Sequence, residues 1–381
     1  MAAKKIKLPF PIEKSVLALG SHRKNAICFA KGNFAYLGRV RQDLSNPGDL
    51  FDFEKEVRYF LQRRPKIIAY DLHPEYASTK YAQRLSPITY HLSPIQHHHA
   101  HIAACMADNG LKNQKVIGVA CDGTGLGSDN RLWGAEFLIC DYKDFIRAGH
   151  LKEIPLLGAE RAILEPWRLA VWWLYSIYKD KFLNLKINFV KGVNKKHWQT
   201  LKNMYLSDFN SPASSSMGRL FDAVASLVLE KYKADFEAAL AIELEKRAAA
   251  YRSQVSGLRF WVLAYPFRIM QRKGKFIINP LPMFRQIVLG LKAKEPKDKI
   301  AYRIHLTVAE MLKKSCLLLQ RKTGIKRVVL SGGVFQNMLL LRLSLDLLYK
   351  EGLQVFVHKD VSCSDSGIAL GQAMIAAIRS K

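Results

Sequence analysis

A strand pattern that occurs twice along the chain constrains its fold more than any other feature. Each occurrence is an apolar strand, a polar or glycine-rich turn and two further strands, and the last two strands of the first set read as a hairpin around Lys31 and Gly32. The first set lies at residues 15–20, 25–30 and 33–40, and the second at 116–122, 133–140 and 146–154. Since helices and more strands follow each antiparallel set, the pattern predicts two related α/β lobes that face a cleft.

The length of 381 residues exceeds one ordinary hydrophobic core and therefore favours two domains. We expect the first α/β lobe at residues 1–112 and the second at residues 113–381. The second lobe would carry a helical insertion and end in a helix that packs back on the cleft. Helical patterns lie at residues 50–63, 74–84, 167–179, 217–231, 235–251 and 299–323. Residues 258–265 and 275–279 are expected to pair as strands.

The charge of the chain is unusual, with 59 Lys and Arg residues against 32 Asp and Glu residues and a formal net charge of +27. Such an excess suits a nucleic acid or another polyanion as partner, but it equally suits a basic surface exposed to water. The basic residues are spread along the chain without the interleaved aromatic residues of a nucleic-acid module. The pattern favours the solvated surface and leaves a nucleic-acid partner open.

Cysteines and apolar segments indicate the compartment. The six cysteines are scattered and include no C-x-x-C pair, which argues against zinc ribbons and a disulfide framework and suits a reducing cytosol. No secretory signal is visible at the N-terminus, and the most apolar helical segment, residues 169–178, is too short to span a bilayer. We therefore expect a cytoplasmic protein without a membrane partner.

Four histidines occupy five positions, in the segment Gln96-His-His-His-Ala-His. His97 and His101 are four residues apart, so a helix would place both on one face, about one turn apart. This spacing is typical of two ligands to one metal ion. The alternative is a hydrogen-bonded or packed histidine cluster with no metal.

Two glycine-rich segments and a third, acidic one could complete a ligand site. Asp122-Gly123-Thr124-Gly125 follows a buried strand and reads as a turn that could cradle phosphate or simply reverse the chain. The segment at residues 327–340 is a strand, a Gly332-Gly333 pair and a helix start, where free N–H groups favour a phosphate. An ordinary tight turn is the alternative for each. A further acid, Asp365, lies near Gly367.

From about residue 15 to its end, the chain resembles the C-terminal, transferase part of the HypF family of hydrogenase-maturation carbamoyltransferases. The matching motifs are Asp71-Leu-His-Pro, His97-His-His-Ala-His, Asp122-Gly-Thr-Gly, Trp133-Gly-Ala-Glu, Glu165-Pro-Trp-Arg, Ser215-Ser-Met-Gly-Arg-Leu-Phe-Asp-Ala-Val-Ala, Ser331-Gly-Gly-Val-Phe-Gln-Asn and Gly367-Ile-Ala-Leu-Gly-Gln. The resemblance implies the duplicated, ribonuclease-H-like fold of actin, Hsp70 and the sugar kinases. It agrees with the repeated strand pattern.

The resemblance also implies chemistry on carbamoyl adenylate, the mixed anhydride of carbamate and AMP, with carbamoyl adenylate or ATP as the nucleotide ligand. It implies a divalent metal, Fe2+ or Zn2+, which acts as a Lewis acid on the carbamoyl oxygen. The metal ligands that it implies are His97, His101, Asp122 and Asp365, of which the two histidines also count as catalytic. Lys24 is the candidate to steady the carbamoyl or phosphate group. The implied nucleotide contacts are Gly218, Asp222, Gly332, Gly333 and Asn337, which join the candidate cradle of Gly123, Thr124 and Gly125.

The chain departs from the family pattern at several positions. His22 replaces the usual Glu of the first-lobe loop, Ala238-Ala239 replaces a Gly-Gln pair, and Ser364-Asp365-Ser366-Gly367 replaces Asn-Asp-Gly-Gly. The family's acylphosphatase-like domain, zinc fingers and adenylate-forming domain have no counterpart in the 381 residues. We therefore expect carbamoyl adenylate to come from a separate adenylate-forming protein or domain.

Three functions remain open at this point. The first is a carbamoyltransferase that modifies the C-terminal cysteine of a HypE-like partner during maturation of NiFe hydrogenase. The second is an O- or N-carbamoyltransferase on another acceptor, including tRNA. The third is a non-catalytic subunit that binds a nucleotide. The motif match favours the first, and the retained metal ligands disfavour the third.

Overall fold

The computed structural model describes residues 4–85, 88–255 and 263–380. Its strands are β1 Lys4–Ala18, β2 Arg23–Asn25, β3 Cys28–Leu37, β4 Arg41–Asp43, β5 Ile67–Asp71, β6 His91–Ile95, β7 Val116–Leu126, β8 Leu132–Cys140, β9 Phe145–Leu151, β10 Ile154–Pro155, β11 Ala213–Ser214, β12 Arg268–Arg272, β13 Lys275–Asn279, β14 Arg327–Ser331 and β15 Gln354–Phe356. Its α-helices are α1 Pro47–Leu61, α2 Ala77–Arg84, α3 His97–Asp108, α4 Arg161–Leu164, α5 Trp167–Tyr178, α6 Asn188–Lys191, α7 Lys195–Leu206, α8 Met217–Leu229, α9 Ala239–Val255, α10 Leu281–Lys292, α11 Lys297–Thr323, α12 Met338–Lys350 and α13 Ile368–Arg379. Short 3-10 turns lie at Lys179–Asn184, Gly333–Gln336 and Asp365–Gly367.

The chain forms two compact units. The first comprises Met1–Ala148, Leu319–Gln336 and Gly352–Lys381, and the second comprises Gly149–Leu318 and Asn337–Glu351. The lobe boundary between residues 112 and 113 is a different division of the chain, and it stays a prediction.

The first unit contains the same strand topology twice. Its first sheet has the order β3-β1-β5-β6, in which β1 is antiparallel to β3 and parallel to β5, and β5 is parallel to β6. The second set has the order β8-β7-β14-β15, in which β7 is antiparallel to β8 and parallel to β14, and β14 is parallel to β15. The sheet topology is thus duplicated, as the sequence predicted, although the three antiparallel strands expected in the first set are only two.

Two strand predictions were wrong in detail. The hairpin around Lys31 and Gly32 does not form, since Cys28–Leu37 is one continuous strand that pairs with the fifteen-residue strand β1. Gly32 adopts a φ of +58° at a register shift, so the chain absorbs an irregularity there without reversing. Lys275–Asn279 pairs antiparallel with Arg268–Arg272 and parallel with β9. Most of the strand expected at residues 258–265 lies outside the described residues, and residues 263–265 are not in a strand.

The core of the first unit lies around α3 and α13. Helix α13 packs on the first sheet, α3 packs on β7 and β14, and the two helices pack closely on each other. Gly371 permits this approach, because a Cβ built at that position would overlap the carbonyl oxygen of Ala100 and lie 2.8 Å from the nitrogen of Ala104. The α3 backbone is therefore held directly against the backbone of α13.

The second unit is rich in helices whose ends follow the sequence signals. Helix α5 starts directly after Pro166, and the Ser216 hydroxyl caps α8 by accepting a hydrogen bond from the N–H of Arg219 at 3.1 Å. Gly324, with a φ of +73°, directly follows α11. Within residues 4–85, 88–255 and 263–380, no helix is long and apolar enough to cross a membrane.

We predict that Gly371→Ala destabilises the protein. The added methyl group would press on the α3 backbone, which cannot move without disturbing the core, so the free energy of unfolding should fall by about 1–3 kcal/mol. Urea unfolding followed by circular dichroism measures the change. Gly290→Ala is the matched control in another helix, because its nearest contact is the end of the flexible Glu295 side chain rather than backbone. Equal stabilities for the two variants would contradict the proposed packing.

Candidate functional site

Four side chains of the first unit converge on one point. His97, His101, Asp122 and Asp365 each offer one ligand atom, and all four atoms lie within 4.8 Å of one another. The two histidines are buried, and the side chain of Asp365 is the most exposed of the group at 20%. The structure thus brings together the four residues that the family resemblance implied as metal ligands.

Helix α3 supplies the two histidines one turn apart. It begins at His97 because the Gln96 side chain accepts a hydrogen bond from the N–H of His99 at 2.9 Å, which caps the first turn. The other two histidines of the run have different roles. His99 donates from Nε2 to the carbonyl of Asp141 at 2.6 Å, and His98 lies beside Trp133 with ring centroids 5.9 Å apart.

Asp122 is placed by an irregular stretch of strand, and the expected turn at residues 122–125 is wrong. Strand β7 continues to Leu126, with a shift in its pairing to β8 between Cys121 and Gly125. A bulge of this kind bends the strand and redirects its side chains. Gly125 also makes room for the histidines, because a Cβ there would lie 2.7 Å from the His97 ring and 2.8 Å from the His98 ring.

The Gly332-Gly333 pair orients Asp122. Gly332 has a φ of +104°, and a Cβ at that position would overlap the carbonyl oxygen of Cys121. This close approach lets the N–H of Gly333 donate to Asp122 Oδ1 at 3.1 Å. These contacts serve the acidic residue directly, whereas the nucleotide contact implied for the two glycines stays a prediction.

Asp71 is a candidate functional residue that the sequence analysis did not single out. Its buried carboxylate accepts a hydrogen bond from His97 Nδ1 at 2.7 Å, although the two residues are 26 positions apart. Since a carboxylate only accepts, Nδ1 carries a proton, so Nε2 is the ring nitrogen that could bind a metal ion in the four-residue cluster. The available signal was the Asp71-Leu-His-Pro motif at the end of a buried strand.

The cluster has a donor set that could hold a divalent metal ion. Nε2 of His101 lies 3.5 Å from Asp122 Oδ2 and 3.5 Å from Asp365 Oδ1, yet it has no well-directed hydrogen bond although it is buried. A buried nitrogen in this position fits a cation placed among the four ligand atoms. Two imidazoles and two carboxylates suit Fe2+ or Zn2+.

The acid–base properties of the cluster point the same way. Burial alone would lower the pKa of the imidazoles, but the surrounding carboxylates hold the pKa of His97 well above its ordinary value and raise that of His101. Burial would raise the pKa of Asp122 and Asp365, but the imidazoles outweigh it and lower both. The acids therefore favour protonated rings without a cation, and a metal ion would displace those protons.

Lys24 lies in β2, next to the turn that contains Asp365. Strand β2 contacts the Asp365–Gly367 turn. Burial raises the pKa of the neighbouring Cys363 thiol to about 11, and the Lys24 ammonium is close enough to act against that rise. Lys24 also adopts a φ of +47°, a backbone conformation that residues other than glycine rarely take. The structure thus places Lys24 near the cluster, while its catalytic role stays a prediction.

Three of the remaining candidate nucleotide contacts, Gly218, Asp222 and Asn337, lie in the second unit. Gly218 is in the first turn of α8, and the Asn337 side chain caps α12 by accepting from the N–H of Leu340 at 2.8 Å. The Asn337 amide also donates to His305 Nε2 at 2.9 Å. Each bond uses one donor or one acceptor position of the Asn337 amide, which has two of each. Gly123 and Thr124 are half-buried in β7 of the first unit.

Asp222 is a buried carboxylate in α8. Arg219 lies 3.2 Å from it and pairs with Glu237 at 2.9 Å, but one Asp222 oxygen has no well-directed hydrogen bond. Burial raises the pKa of Asp222 to about 6, and the Arg219 guanidinium limits this rise because it stabilises the ionised carboxylate.

Two protein-family models together match most of the chain. Residues 11–108 match the HypF Kae1-like domain, and residues 118–372 match the second subdomain of the carbamoyltransferase Kae1-like domain. The metal-type cluster draws residues from both matched segments.

Individual relatives agree. Carbamoyltransferase HypF of Synechocystis is 32% identical over 98% of this chain, and the match spans 48% of that protein. A carbamoyltransferase HypF homolog of Cupriavidus necator is 34% identical over 95% of this chain and 91% of its own length. The chain thus spans about half of the first relative and most of the second.

Solved structures confirm the α/β fold class. Full-length HypF in its phosphate- and nucleotide-bound form superposes with a TM-score of 0.87 at 36% identity, covering 98% of this chain and 57% of that one. HypF of T. kodakarensis gives a TM-score of 0.83 at 28% identity, covering 98% and 49%.

The buried Asp222 carboxylate leads to a pH-dependent prediction. Between its ordinary pKa of 3.8 and about 6, the unfolded chain releases this proton while the folded protein keeps it, so stability falls as the pH rises through that interval. Asp222→Asn should remove the effect and gain up to about 3 kcal/mol relative to the wild type between pH 4 and pH 7. Urea unfolding of both proteins across this range tests it. A difference that stays constant with pH would refute the buried, proton-retaining carboxylate.

Proposed function

The chain belongs to the HypF family of carbamoyltransferases, and from that membership we propose that it transfers a carbamoyl group from carbamoyl adenylate to an acceptor thiol at a metal centre. The observation that carries the proposal is the convergence of His97, His101, Asp122 and Asp365 within 4.8 Å, in a chain that matches the family from residue 11 to residue 372. The proposed metal is Fe2+ or Zn2+.

The bound metal would supply a Lewis acid that polarises the carbamoyl carbonyl group. The residues of the chain hold that position in place. Asp71 keeps Nδ1 of His97 protonated, and the N–H of Gly333 fixes one oxygen of Asp122. Because these supports are formed in advance, the site needs little reorganisation when charge develops on the carbamoyl oxygen.

The transfer itself is an exchange at the carbamoyl carbon. The acceptor thiolate forms the new C–S bond, the C–O bond to the phosphate breaks, and AMP leaves with the bonding electrons. The Lys24 ammonium is proposed to balance the negative charge of the carbamoyl or phosphate group. Since AMP is a good leaving group, orientation and charge stabilisation supply most of the catalysis.

We predict that the purified protein binds about one Fe2+ or Zn2+ per chain. His101→Ala and Asp365→Ala each remove one ligand from the cluster and should lose the metal, as measured by elemental analysis after dialysis. Asp360→Ala is a matched control, because its exposed side chain pairs only with Lys4 among the ion pairs of the described residues. Full occupancy in both ligand variants would overturn the assignment.

The proposed donor and acceptor follow from the family. A HypE-like protein is the proposed acceptor, with its C-terminal cysteine as the thiol, and the role is in maturation of NiFe hydrogenase. The matched region corresponds to the Kae1-like part of the relatives, so we propose that it performs the transfer step and that a separate protein or domain makes carbamoyl adenylate.

A transfer assay tests this division of labour on the 381-residue chain. With carbamoyl adenylate supplied, we expect AMP release and a mass gain of one carbamoyl group on a HypE-like acceptor. Carbamoyl phosphate and ATP alone should give neither product, because forming the anhydride needs a site that aligns carbamate with ATP. The Asp365→Ala variant is the inactive control. Turnover from carbamoyl phosphate and ATP alone would show that the activation step has been misplaced.

A second candidate acceptor is tRNA. Over 74 residues, or 19% of this chain, the sequence is 38% identical to a tRNA N6-adenosine threonylcarbamoyltransferase of Syntrophotalea carbinolica. The net charge of +27 would also favour a polyanion. Adding tRNA as a competing acceptor in the same assay distinguishes the candidates, because only one of them should gain the carbamoyl mass. AMP release without any acceptor product would indicate hydrolysis, and no AMP release would indicate a non-catalytic, nucleotide-binding subunit.

A further inference from the structure

A chain of buried polar contacts runs behind His101, on the side away from the cluster. Ser331 Oγ lies 3.5 Å from His101 Nδ1 and 2.8 Å from His358 Nε2. His358 Nδ1 lies 3.7 Å from Asp108 Oδ2. Ser331 is fully buried, and the side chains of His358 and Asp108 are 6% and 1% exposed. The contacts therefore form in a region that water hardly reaches.

We propose that Ser331 and His358, held by Asp108, are positioning residues that fix the proton of His101 on Nδ1 and so leave Nε2 free for the metal. The inference rests on the metal centre of the proposed function. It assigns to these three residues a role that neither the motif match nor the cluster geometry gives them.

Once Nε2 binds a cation, one order of donors and acceptors uses the Ser331 hydroxyl both as acceptor and as donor in its two contacts. His101 Nδ1 must then carry the proton and donate to Ser331 Oγ. The Ser331 hydroxyl in turn donates to His358 Nε2, which leaves the His358 proton on Nδ1, facing the Asp108 carboxylate. Burial lowers the pKa of His358 to about 3, which favours the neutral ring, and Nε2 lies 2.8 Å from the Ser331 hydroxyl as its acceptor.

Asp108 anchors this arrangement to the helix that carries the metal ligands. Its carboxylate accepts hydrogen bonds from the backbone N–H groups of Lys359 at 2.6 Å, Asp360 at 3.2 Å and Val361 at 3.2 Å. Asn109 adds a side-chain bond to the carbonyl of Val357 at 2.8 Å. The last turn of α3 thus holds the segment that carries His358, while the first turns present His97 and His101. One helix therefore sets both ends of the contact chain.

The same clamp holds the segment that leads to Asp365. Three residues lie between Val361 and Asp365, and the carbonyl of the middle one, Cys363, accepts a hydrogen bond from the N–H of Gly332 at 3.1 Å. The turn that follows β14 is thereby tied to this segment at Gly332, which directly follows Ser331 and precedes the residue that binds Asp122. Supports of this kind around a ligand typically change metal affinity by about 10–100-fold when they are removed.

Ser331→Ala tests the proposal by removing one oxygen with little change in volume. Zn2+ affinity, measured by competition with a colorimetric chelator, should fall about 10–100-fold relative to the wild type. The melting temperature of the metal-free protein checks that the variant folds. Ser344→Ala is the matched control, since Ser344 is equally buried and its hydroxyl donates only to the Leu340 carbonyl at 2.8 Å. It should bind Zn2+ as the wild type does.

Substitutions of His358 separate positioning from packing. His358→Gln keeps an acceptor near the place of Nε2 and should retain Zn2+ affinity within about threefold, whereas His358→Leu fills similar space without an acceptor and should lose as much as Ser331→Ala. Wild-type affinity in both Ser331→Ala and His358→Leu would overturn the inference while leaving the metal centre intact. Absence of Zn2+ and Fe2+ binding by the wild type would instead overturn the metal centre itself, and this inference with it.

Discussion

Close backbone packing around helix α3 is the constraint on which the rest of the first unit depends. Two glycines allow neighbouring elements to approach α3 closely, because neither carries a side chain. Gly371 of α13 lies against the backbone of Ala100, and a Cβ on Gly118 of β7 would lie 2.7 Å from the Ile102 side chain. The helix is consequently buried from His97 to Ala107. A histidine run that would be exposed on an isolated helix becomes the centre of a densely packed core, where each ring has one orientation.

Burial of so many ionisable groups has a cost that the surrounding contacts must offset. An isolated charge in such an interior is unstable unless it is paired and hydrogen-bonded. The unit meets this requirement by placing opposite charges together: Asp71 lies 2.7 Å from His97, and Asp122 and Asp365 face both imidazoles. Within the four-ligand cluster, His101 Nε2 has no well-directed hydrogen bond. The metal ion of the proposed function would supply that missing partner, so the packing that gives the site its geometry also leaves a position for a cation.

The sequence predicted local spacing well and long-range pairing poorly. The four-residue interval between His97 and His101 predicted one helix face, because helical geometry depends only on nearby residues. Asp122 and Asp365 were joined to them by the family resemblance, since no local rule brings residues so far apart together. The turn expected at residues 122–125 failed because pairing with β8 keeps the strand extended, although its glycines alone favour a turn. Asp71 was missed for the same reason, because its role exists only through a contact across 26 residues.

Backbone conformation at the substituted positions shows how far the tertiary structure overrides local preference. Ala238 stands where the family has glycine, and it still adopts a φ of +67°, at a cost of roughly 1–2 kcal/mol for a residue with a Cβ. Glu237 before it pairs with Arg219, and α9 begins directly after it, so the position is fixed from both sides. Lys24, with a φ of +47° beside the Asp365 turn, is a second case in which the surroundings impose a conformation that the residue disfavours. The fold therefore imposes these backbone conformations even on residues that disfavour them. The Asp365 turn beside Lys24 is held in the same way, which is the physical reason for expecting the cluster to keep its geometry in the presence of Ser364 and Ser366.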